Sequence, residues 1–146
     1  MRAALSHIVV VALMAIAVAC GSTTQSVDMH DMERSRWSSA EEFYYDNTDS
    51  LAERNIAVVV RYDRGYVADS VAMSILTISP DSLVVEEHIT LSIPQIEEVR
   101  PTEQIFPYRS GVVLRQKGQY TFRLTPDQSV EGIQSIGIAI SEPEGQ

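Results

Sequence analysis

Apolar and polar residues alternate with a period of two along most of the chain after residue 36, a pattern typical of half-buried β-strands rather than of helices. The alternation is clearest in the segments Ile56–Asp63 and Ile133–Ser141. The apolar residues that share a face in these segments are Ile56, Val58, Val60 and Tyr62 in the first, and Ile136, Ile138 and Ile140 in the second. Ser135, Gly137 and Ala139 lie on the opposite face of the second segment.

Five further segments have strand character: Phe43–Tyr45, Val71–Ile78, Val85–Ile93, Gly111–Gln116 and Gln119–Leu124. Val71–Ile78 is apolar on both faces in places, which indicates a central strand, and Glu87 interrupts an apolar row, which indicates a bend or an edge. Lys117-Gly118 predicts a two-residue hairpin. Pro94–Pro107 holds three prolines and four charged residues and predicts a long exposed loop.

Seven or eight short strands separated by turn residues predict an all-β protein, an antiparallel β-sandwich of jelly-roll or Ig-like type. We expect this domain to span residues 37–142, with a short tail at 143–146. Gly21–Met32 is polar and aperiodic, so residues 20–36 are predicted to be a tether that precedes the domain.

The first nineteen residues have the character of an export signal. Arg2 is their only charge, and Ile8–Ala19 is an unbroken apolar run. A membrane-spanning helix needs roughly 20 apolar residues, so the shorter run suits a cleaved signal peptide at residues 1–19. The small residues Ala17-Val18-Ala19 before Cys20 form a lipobox.

Cys20 is the only cysteine of the chain and is the predicted lipidation site. A thiolate is the nucleophile that accepts a diacylglyceryl group, and two or more acyl chains give a stable attachment to the lipid bilayer. No other thiol remains for a disulfide or a metal site. Gly21–Val27 contains no acidic residue. In some groups of bacteria surface-displayed lipoproteins tend to carry an acidic cluster there, so we expect an outer-membrane protein that faces the periplasm.

The charge balance excludes some partners. Removal of Arg2 with the signal changes the net charge from −9 to −10, because ten basic and twenty acidic side chains remain. A strongly acidic protein is not expected to bind nucleic acid, which is held mainly by phosphate neutralisation.

No pattern predicts catalysis, a cofactor or a metal. Glu86 and His88 share a strand face, but two ligands do not make a zinc site. Asp46–Ser50 resembles the start of a calcium loop without its glycine and distal glutamate, and Asx turns explain it more simply. No nucleophile elbow or phosphate-binding loop is present in the sequence. We therefore expect a protein that is not an enzyme, and a hydrolase is the last alternative.

Aromatic residues leave a second function open. Trp37, Tyr44, Tyr66 and Tyr108 are the candidates for contact with a ligand or a partner. Exposed together, they would form a stacking platform for sugar in a periplasmic glycan-binding sandwich. Buried, they would be core residues, which is the commoner use of aromatics in a small β domain.

The order of these features resembles the gliding-motility lipoprotein GldH family. Four features carry the resemblance after the lipobox: Trp37 with Phe43, Tyr45 and Asp49; Val60-Arg61 with Tyr66; the segment 118–122, Gly-Gln-Tyr-Thr-Phe; and the segment 132–138, Gly-Ile-Gln-Ser-Ile-Gly-Ile. The resemblance spans nearly all of the chain after Cys20. It departs in Pro94–Pro107, where the family has a segment with glycine and tryptophan. It implies a cell-envelope accessory protein that contacts other envelope proteins in gliding motility or its associated secretion machinery.

Overall fold

The computed structural model describes residues 25–144, so the predicted signal peptide, Cys20 and the last two residues lie outside it. The described chain forms ten strands and one turn of 3-10 helix at Glu33–Ser35. The strands are β1 (Gln25–Asp31), β2 (Arg36–Trp37), β3 (Glu41–Asn47), β4 (Glu53–Tyr62), β5 (Ser70–Ile78), β6 (Val84–Ser92), β7 (Thr102–Val113), β8 (Gly118–Pro126), β9 (Val130–Glu131) and β10 (Ile133–Ser141). Between residues 25 and 144 no helix is long and apolar enough to cross a membrane.

The eight long strands form two antiparallel four-stranded sheets. Sheet I has the order β1-β10-β4-β7 and sheet II the order β3-β8-β5-β6, while β2 and β9 form a two-residue bridge. If the long strands are lettered B to I along the chain, the sheets are B-I-D-G and C-H-E-F, which is the jelly-roll arrangement. The predicted all-β sandwich is therefore confirmed. It has ten strands rather than seven or eight because of β1 and the short β2–β9 bridge.

The core lies between the sheets and consists of the inward faces that the alternation predicts. Ile56, Val58, Val60 and Tyr62 of β4 are at most 4% exposed. The facing rows from the other strands are also buried: Met73 and Ile75; Tyr120, Phe122 and Leu124; Ile136, Ile138 and Ile140. Strict alternation predicts these faces correctly because each strand has one side against the core.

The segment before Trp37 differs from the prediction of a tether. Gln25–Asp31 is the outer strand of sheet I and pairs with β10 from Gln25↔Ser141 to Asp31↔Ser135. The segment is polar because β1 is an edge strand with little of its surface buried, and backbone pairing does not require apolar side chains. The folded domain therefore begins at or before Gln25 and not near Trp37.

The segment before β8 also differs from the prediction. The loop after β6 ends at residue 101, and Thr102–Val113 is a twelve-residue strand that includes Pro107. Proline is tolerated there because β7 is an edge strand that pairs with β4 alone. Since β7 and β8 belong to different sheets, Lys117-Gly118 is part of a crossover between the sheets, and the predicted hairpin is wrong.

Two finer predictions for sheet II are confirmed. β5 lies between β8 and β6, as its apolar residues on both faces indicate. β6 is the outer strand, and Glu87 occupies an inward position of that strand near the sandwich edge.

Candidate interaction surface

Two of the four candidate aromatic residues lie in the core. Trp37 and Tyr66 are each 1% exposed. The indole Nε1 of Trp37 donates to the carbonyl of Ser39 at 2.9 Å. The ring of Tyr66 packs edge-on against Tyr62 with centroids 5.6 Å apart. Neither side chain is available for stacking on a ligand.

The other two candidates lie far apart in the fold. Tyr44 is on the outer face of β3 in sheet II, half exposed, and its hydroxyl donates to Glu42 at 2.8 Å. Tyr108 lies on β7 in sheet I, at the opposite side of the sandwich, and is partly buried against the core. The four residues therefore do not form a common surface.

The polar candidates have structural roles. Asp49 Oδ1 accepts hydrogen bonds from the backbone amides of Leu51 at 2.9 Å and Ala52 at 3.2 Å, and the Leu51 bond in particular lowers the pKa of Asp49. This is the Asx turn that the sequence favours over a calcium loop. Glu86 and His88 lie on the exposed face of β6. In the described part of the chain no three His, Cys, Asp or Glu side chains are grouped as metal ligands.

The outer face of sheet I carries an apolar surface that the sequence analysis did not identify. The strand register aligns two cross-strand rows there, Val27–Ala139–Ala57–Pro107 and Met29–Gly137–Val59–Ile105. We call these eight residues the apolar stripe. The next row toward β1's C-terminal end is polar and consists of Asp31, Ser135, Arg61 and Glu103.

The shape of the apolar stripe follows from the sizes of its side chains. Of its two central strands, β10 contributes only Gly137 and Ala139 and β4 contributes Ala57 and Val59, so the centre is low, and the outer strands β1 and β7 supply side chains that protrude further. Val27 is 50% and Ile105 57% exposed, whereas Val59 and Ala139 are nearly covered. A Cβ atom at Gly137 would lie 2.3 Å from the carbonyl oxygen of Asp28, so glycine is needed for β1 to approach β10 this closely.

The outer face of sheet II is more polar. Its row through Glu42, Arg123, Leu76 and Glu86 contains an ion pair in which Arg123 Nε donates to Glu42 at 2.8 Å. The hydrogen bond from Arg123, with a second from Tyr44, lowers the pKa of Glu42. The next row on this face, Tyr44, Thr121, Ile78 and Val84, is partly apolar. The two broad faces therefore differ in that both rows of the apolar stripe are free of charged residues, whereas sheet II places an ion pair beside its partly apolar row.

Side chains join the two sheets at both edges of the sandwich. At one edge, His30 on β1 and Glu41 on β3 are 2.8 Å apart, and the ring of His30 packs on Phe43. At the other edge, Glu87 on β6 accepts hydrogen bonds from Tyr108 and Arg109 on β7. Burial and the Glu87 bond raise the pKa of Tyr108 to about 12. The hydrogen bonds from Tyr108 and Arg109 lower the pKa of Glu87.

An open cleft of about 550 Å³ lies beside the segment between β1 and β3. Arg34 and Ser35 in this segment have φ angles of 55° and 50°, an uncommon conformation for residues other than glycine. The cleft is lined mainly by charged side chains of both signs, and Arg36 forms an ion pair with Glu131 there. Four of its lining residues are acidic and two are basic, so it is a polar, mainly acidic surface, unlike the apolar stripe.

These features define a jelly-roll sandwich of eight long strands with the apolar stripe on the outer face of sheet I. No protein-family model and no curated protein matches the sequence. Solved structures with some likeness include infectious bursal disease virus, Gx strain (11% identity, TM-score 0.44, 85% of this chain and 34% of that chain). Another is dimeric latent PorU from Porphyromonas gingivalis (9% identity, TM-score 0.36, 82% of this chain and 13% of that chain). A third is the Tobacco streak virus coat protein (10% identity, TM-score 0.25, 84% of this chain and 89% of that chain). The chain spans about a third of the length of the first of these structures. At these scores the likenesses support no functional argument.

Proposed function

We propose that this chain is a lipid-anchored cell-envelope protein of the GldH type that is not an enzyme and acts by contact with other envelope proteins. Its place is the periplasmic side of the outer membrane, where it serves as an accessory component of gliding motility or of the associated secretion machinery. The lipobox at Cys20 supports the anchor. The resemblance of the chain after Cys20 to the GldH family supports the rest.

Most of the apolar and aromatic residues that carry this resemblance have packing roles in the fold. Trp37, Phe43 and Tyr66 are each 1% exposed, and Phe122 and Ile138 belong to the same core. Shared core residues favour a shared fold and give no information about the partner, which must be recognised by surface residues.

The observation that carries the proposed protein contact is the apolar stripe. Its exposed members Val27, Ile105 and Pro107 lie on two strands separated by a low centre, which suits a protruding apolar segment of a partner. Contiguous exposed apolar surface in a globular protein is commonly a site of interaction. On the outer face of sheet II, by contrast, the ion pair of Glu42 and Arg123 lies beside the exposed apolar residues.

The lipid anchor can be tested by metabolic labelling of cells with a clickable fatty acid. We expect the wild-type protein to be labelled and the Cys20→Ala variant to be unlabelled, because the chain contains no other cysteine. Equal labelling of both would remove the anchor from the proposal.

The location can be tested with protease added to intact cells. An outer-membrane protein that faces the periplasm should stay whole until the outer membrane is opened. Digestion in intact cells would place the domain on the cell surface instead.

The protein contact can be tested with a photo-cross-linking amino acid at Ile105, within the apolar stripe, and with the same amino acid at His88 on the exposed face of β6 as the matched control. We expect the amino acid at position 105 to form a discrete cross-linked adduct with another protein and the amino acid at position 88 to form none. The adduct from position 105 should be lost when the Val27→Asp substitution is added. Equal adducts from both positions, or none from position 105, would contradict the role of the apolar stripe.

A further inference from the structure

The strand directions place three loops at the end of the sandwich where the described chain begins. Gln25 pairs with Ser141, and β4 and β7 meet at this end through Glu53 and Val113. In sheet II the same end holds the end of β3, the start of β8 and the turn between β5 and β6. We call this the proximal end, with its loops 48–52, 79–83 and 114–117, and the opposite end the distal end.

Hydrogen bonds join the three proximal loops into one surface. Asn47 Nδ2 donates to the carbonyls of Leu114 at 2.7 Å and Gln116 at 2.8 Å. The Gln116 side chain in turn accepts the backbone amide of Asp81 at 3.0 Å. Asn47 is 1% exposed, so this network is held in the folded body of the domain and fixes the loops relative to the sheets.

Each of two proximal loops holds a leucine in an exposed position. Leu51 is 86% exposed and follows the Asp49 turn, whose carboxylate accepts the amide of Leu51 itself. Leu83 is 65% exposed and closes a turn in which its carbonyl accepts the Ser79 amide at 2.9 Å. Hydrogen-bonded turns therefore present both leucines outward. Val84 and Val113 add exposed apolar surface beside them.

The predicted anchor is close in sequence to the strand that begins at this end. Gln25, the first residue of β1, is five positions after Cys20. Five residues reach at most about 18 Å even when fully extended. If Cys20 carries the lipid, Gln25 at the proximal end is therefore held within that distance of the bilayer, far closer than the predicted seventeen-residue tether at 20–36 would hold the domain.

We propose that the proximal end rests on the lipid bilayer and inserts Leu51 and Leu83 into its interface, so that the strands stand on the membrane and the apolar stripe faces sideways. The inference rests on the proposed anchor at Cys20. It commits to a lipid surface because an exposed leucine gains by transfer to an apolar phase, and the anchor makes that phase the nearest one available.

Charge contributes little to this contact. Arg115 and Lys117 are exposed in the proximal loops, but Asp49, Asp81 and Glu53 are close to them in the fold. The mixed charges give no polybasic surface of the kind that binds anionic lipid. The insertion should accordingly depend on the two leucines and not on the content of anionic lipid.

The test uses the mature chain Cys20–Gln146, coupled through its single thiol to a maleimide phospholipid and bound to phosphatidylcholine vesicles. One tryptophan is added at a time, by Leu51→Trp or Leu83→Trp at the proximal end. The controls are Val67→Trp and Val99→Trp in distal loops, where valines are 74% and 78% exposed, and Ile105→Trp on the apolar stripe. The native Trp37 is buried and gives a constant background.

Brominated acyl chains quench only tryptophans that enter the bilayer. We expect the added fluorescence at positions 51 and 83 to be lost in brominated vesicles, with or without anionic lipid, and that at 67, 99 and 105 to be retained. Quenching at position 105 alone would show that the outer face of sheet I lies on the membrane. Quenching at position 67 or 99 would show that the distal end lies on the membrane. No quenching at any position would show that the domain does not touch the bilayer. Each of these results overturns the inference. Because the lipid is attached chemically, this test does not depend on acylation of Cys20 in cells. If the proposed anchor is wrong, only the fatty-acid labelling experiment fails, so the two proposals can be told apart.

Discussion

Tyr108 on β7 donates a hydrogen bond from its hydroxyl to the carboxylate of Glu87 on β6, and this bond joins the two sheets at an edge where each strand is the outer strand of its sheet. The guanidinium of Arg109 binds the other carboxylate oxygen and lies 4.5 Å from the Tyr108 ring centroid. Glu87 is charged at an inward position because these two donors satisfy it. An edge that is closed by side chains is less open to pairing with another sheet.

The first prediction concerns the ionisation of Tyr108. Its pKa is raised from 10.0 to about 12, first by burial and then by the Glu87 bond. The folded protein therefore holds this proton more tightly than the unfolded chain does. The resulting contribution to stability is complete below pH 10 and is lost as the pH rises from 10 to about 12. Ultraviolet titration of tyrosinate and unfolding at several alkaline pH values measure both effects.

Two variants test the assignment to this pair. Tyr108→Phe should remove the tyrosinate transition near pH 12 from the titration. It should also reduce the loss of unfolding free energy between pH 10 and about 12. Glu87→Gln should lower the pKa of Tyr108 without returning it to the ordinary value, because burial is the larger cause. A titration unchanged by Tyr108→Phe would contradict the assignment.

The second prediction compares two isoleucines in sheet I. Ile138 is 3% exposed in the core, and Ile105 is 57% exposed on the apolar stripe. Ile138→Ala should lower the free energy of unfolding by about 2–5 kcal/mol, the usual range for a buried large-to-small change. Ile105→Ala should change it by only about 0.5 kcal/mol. Urea unfolding of the two variants measures both free energies. Equal losses of unfolding free energy would mean that Ile105 is as buried as Ile138, which contradicts an exposed outer face of sheet I.

The third prediction concerns Gly132, which has a φ angle of +83°. A Cβ atom there would lie 2.0 Å from the backbone nitrogen of Tyr66, so Gly132→Ala should prevent normal packing of the 63–66 turn and lower the urea midpoint severely. Gly111 is the matched control, since its φ is +63° but its Cβ position is open. Gly111→Ala should cost only the left-handed conformation, about 1–2 kcal/mol. Similar losses from both would refute the steric explanation.

The fourth prediction tests where the domain begins. A chain that starts at Thr24 retains all of β1, and a chain that starts at Met32 lacks it. The shorter chain should unfold at lower urea and associate in sizing experiments, because removal of β1 leaves the paired backbone of β10 without a partner on one side. Equal urea midpoints for the two chains would show that residues 25–31 do not stabilise the domain and belong to a tether.

The sequence by itself determined the class of fold and the inward faces of the central strands. In β4, β8 and β10 each strand has one side in the core, so every second residue of these strands is apolar and the buried side can be predicted from the sequence. Glu87 was also informative, since a charge in an apolar row is tolerated where a strand reaches an edge. Trp37 and Tyr66 were ambiguous, because a buried aromatic and an exposed one give the same pattern in sequence.

Only the tertiary structure decided which strands are neighbours. β1 and β7 are edge strands whose stability comes from backbone pairing with β10 and β4, and such pairing leaves no apolar period in the sequence. Lys117-Gly118 has the residues of a hairpin, yet the adjoining strands separate into different sheets because each finds its partner far along the chain. The apolar stripe has the same origin: Val27, Ala57, Pro107 and Ala139 become one surface only when the register of four strands brings them into a single row.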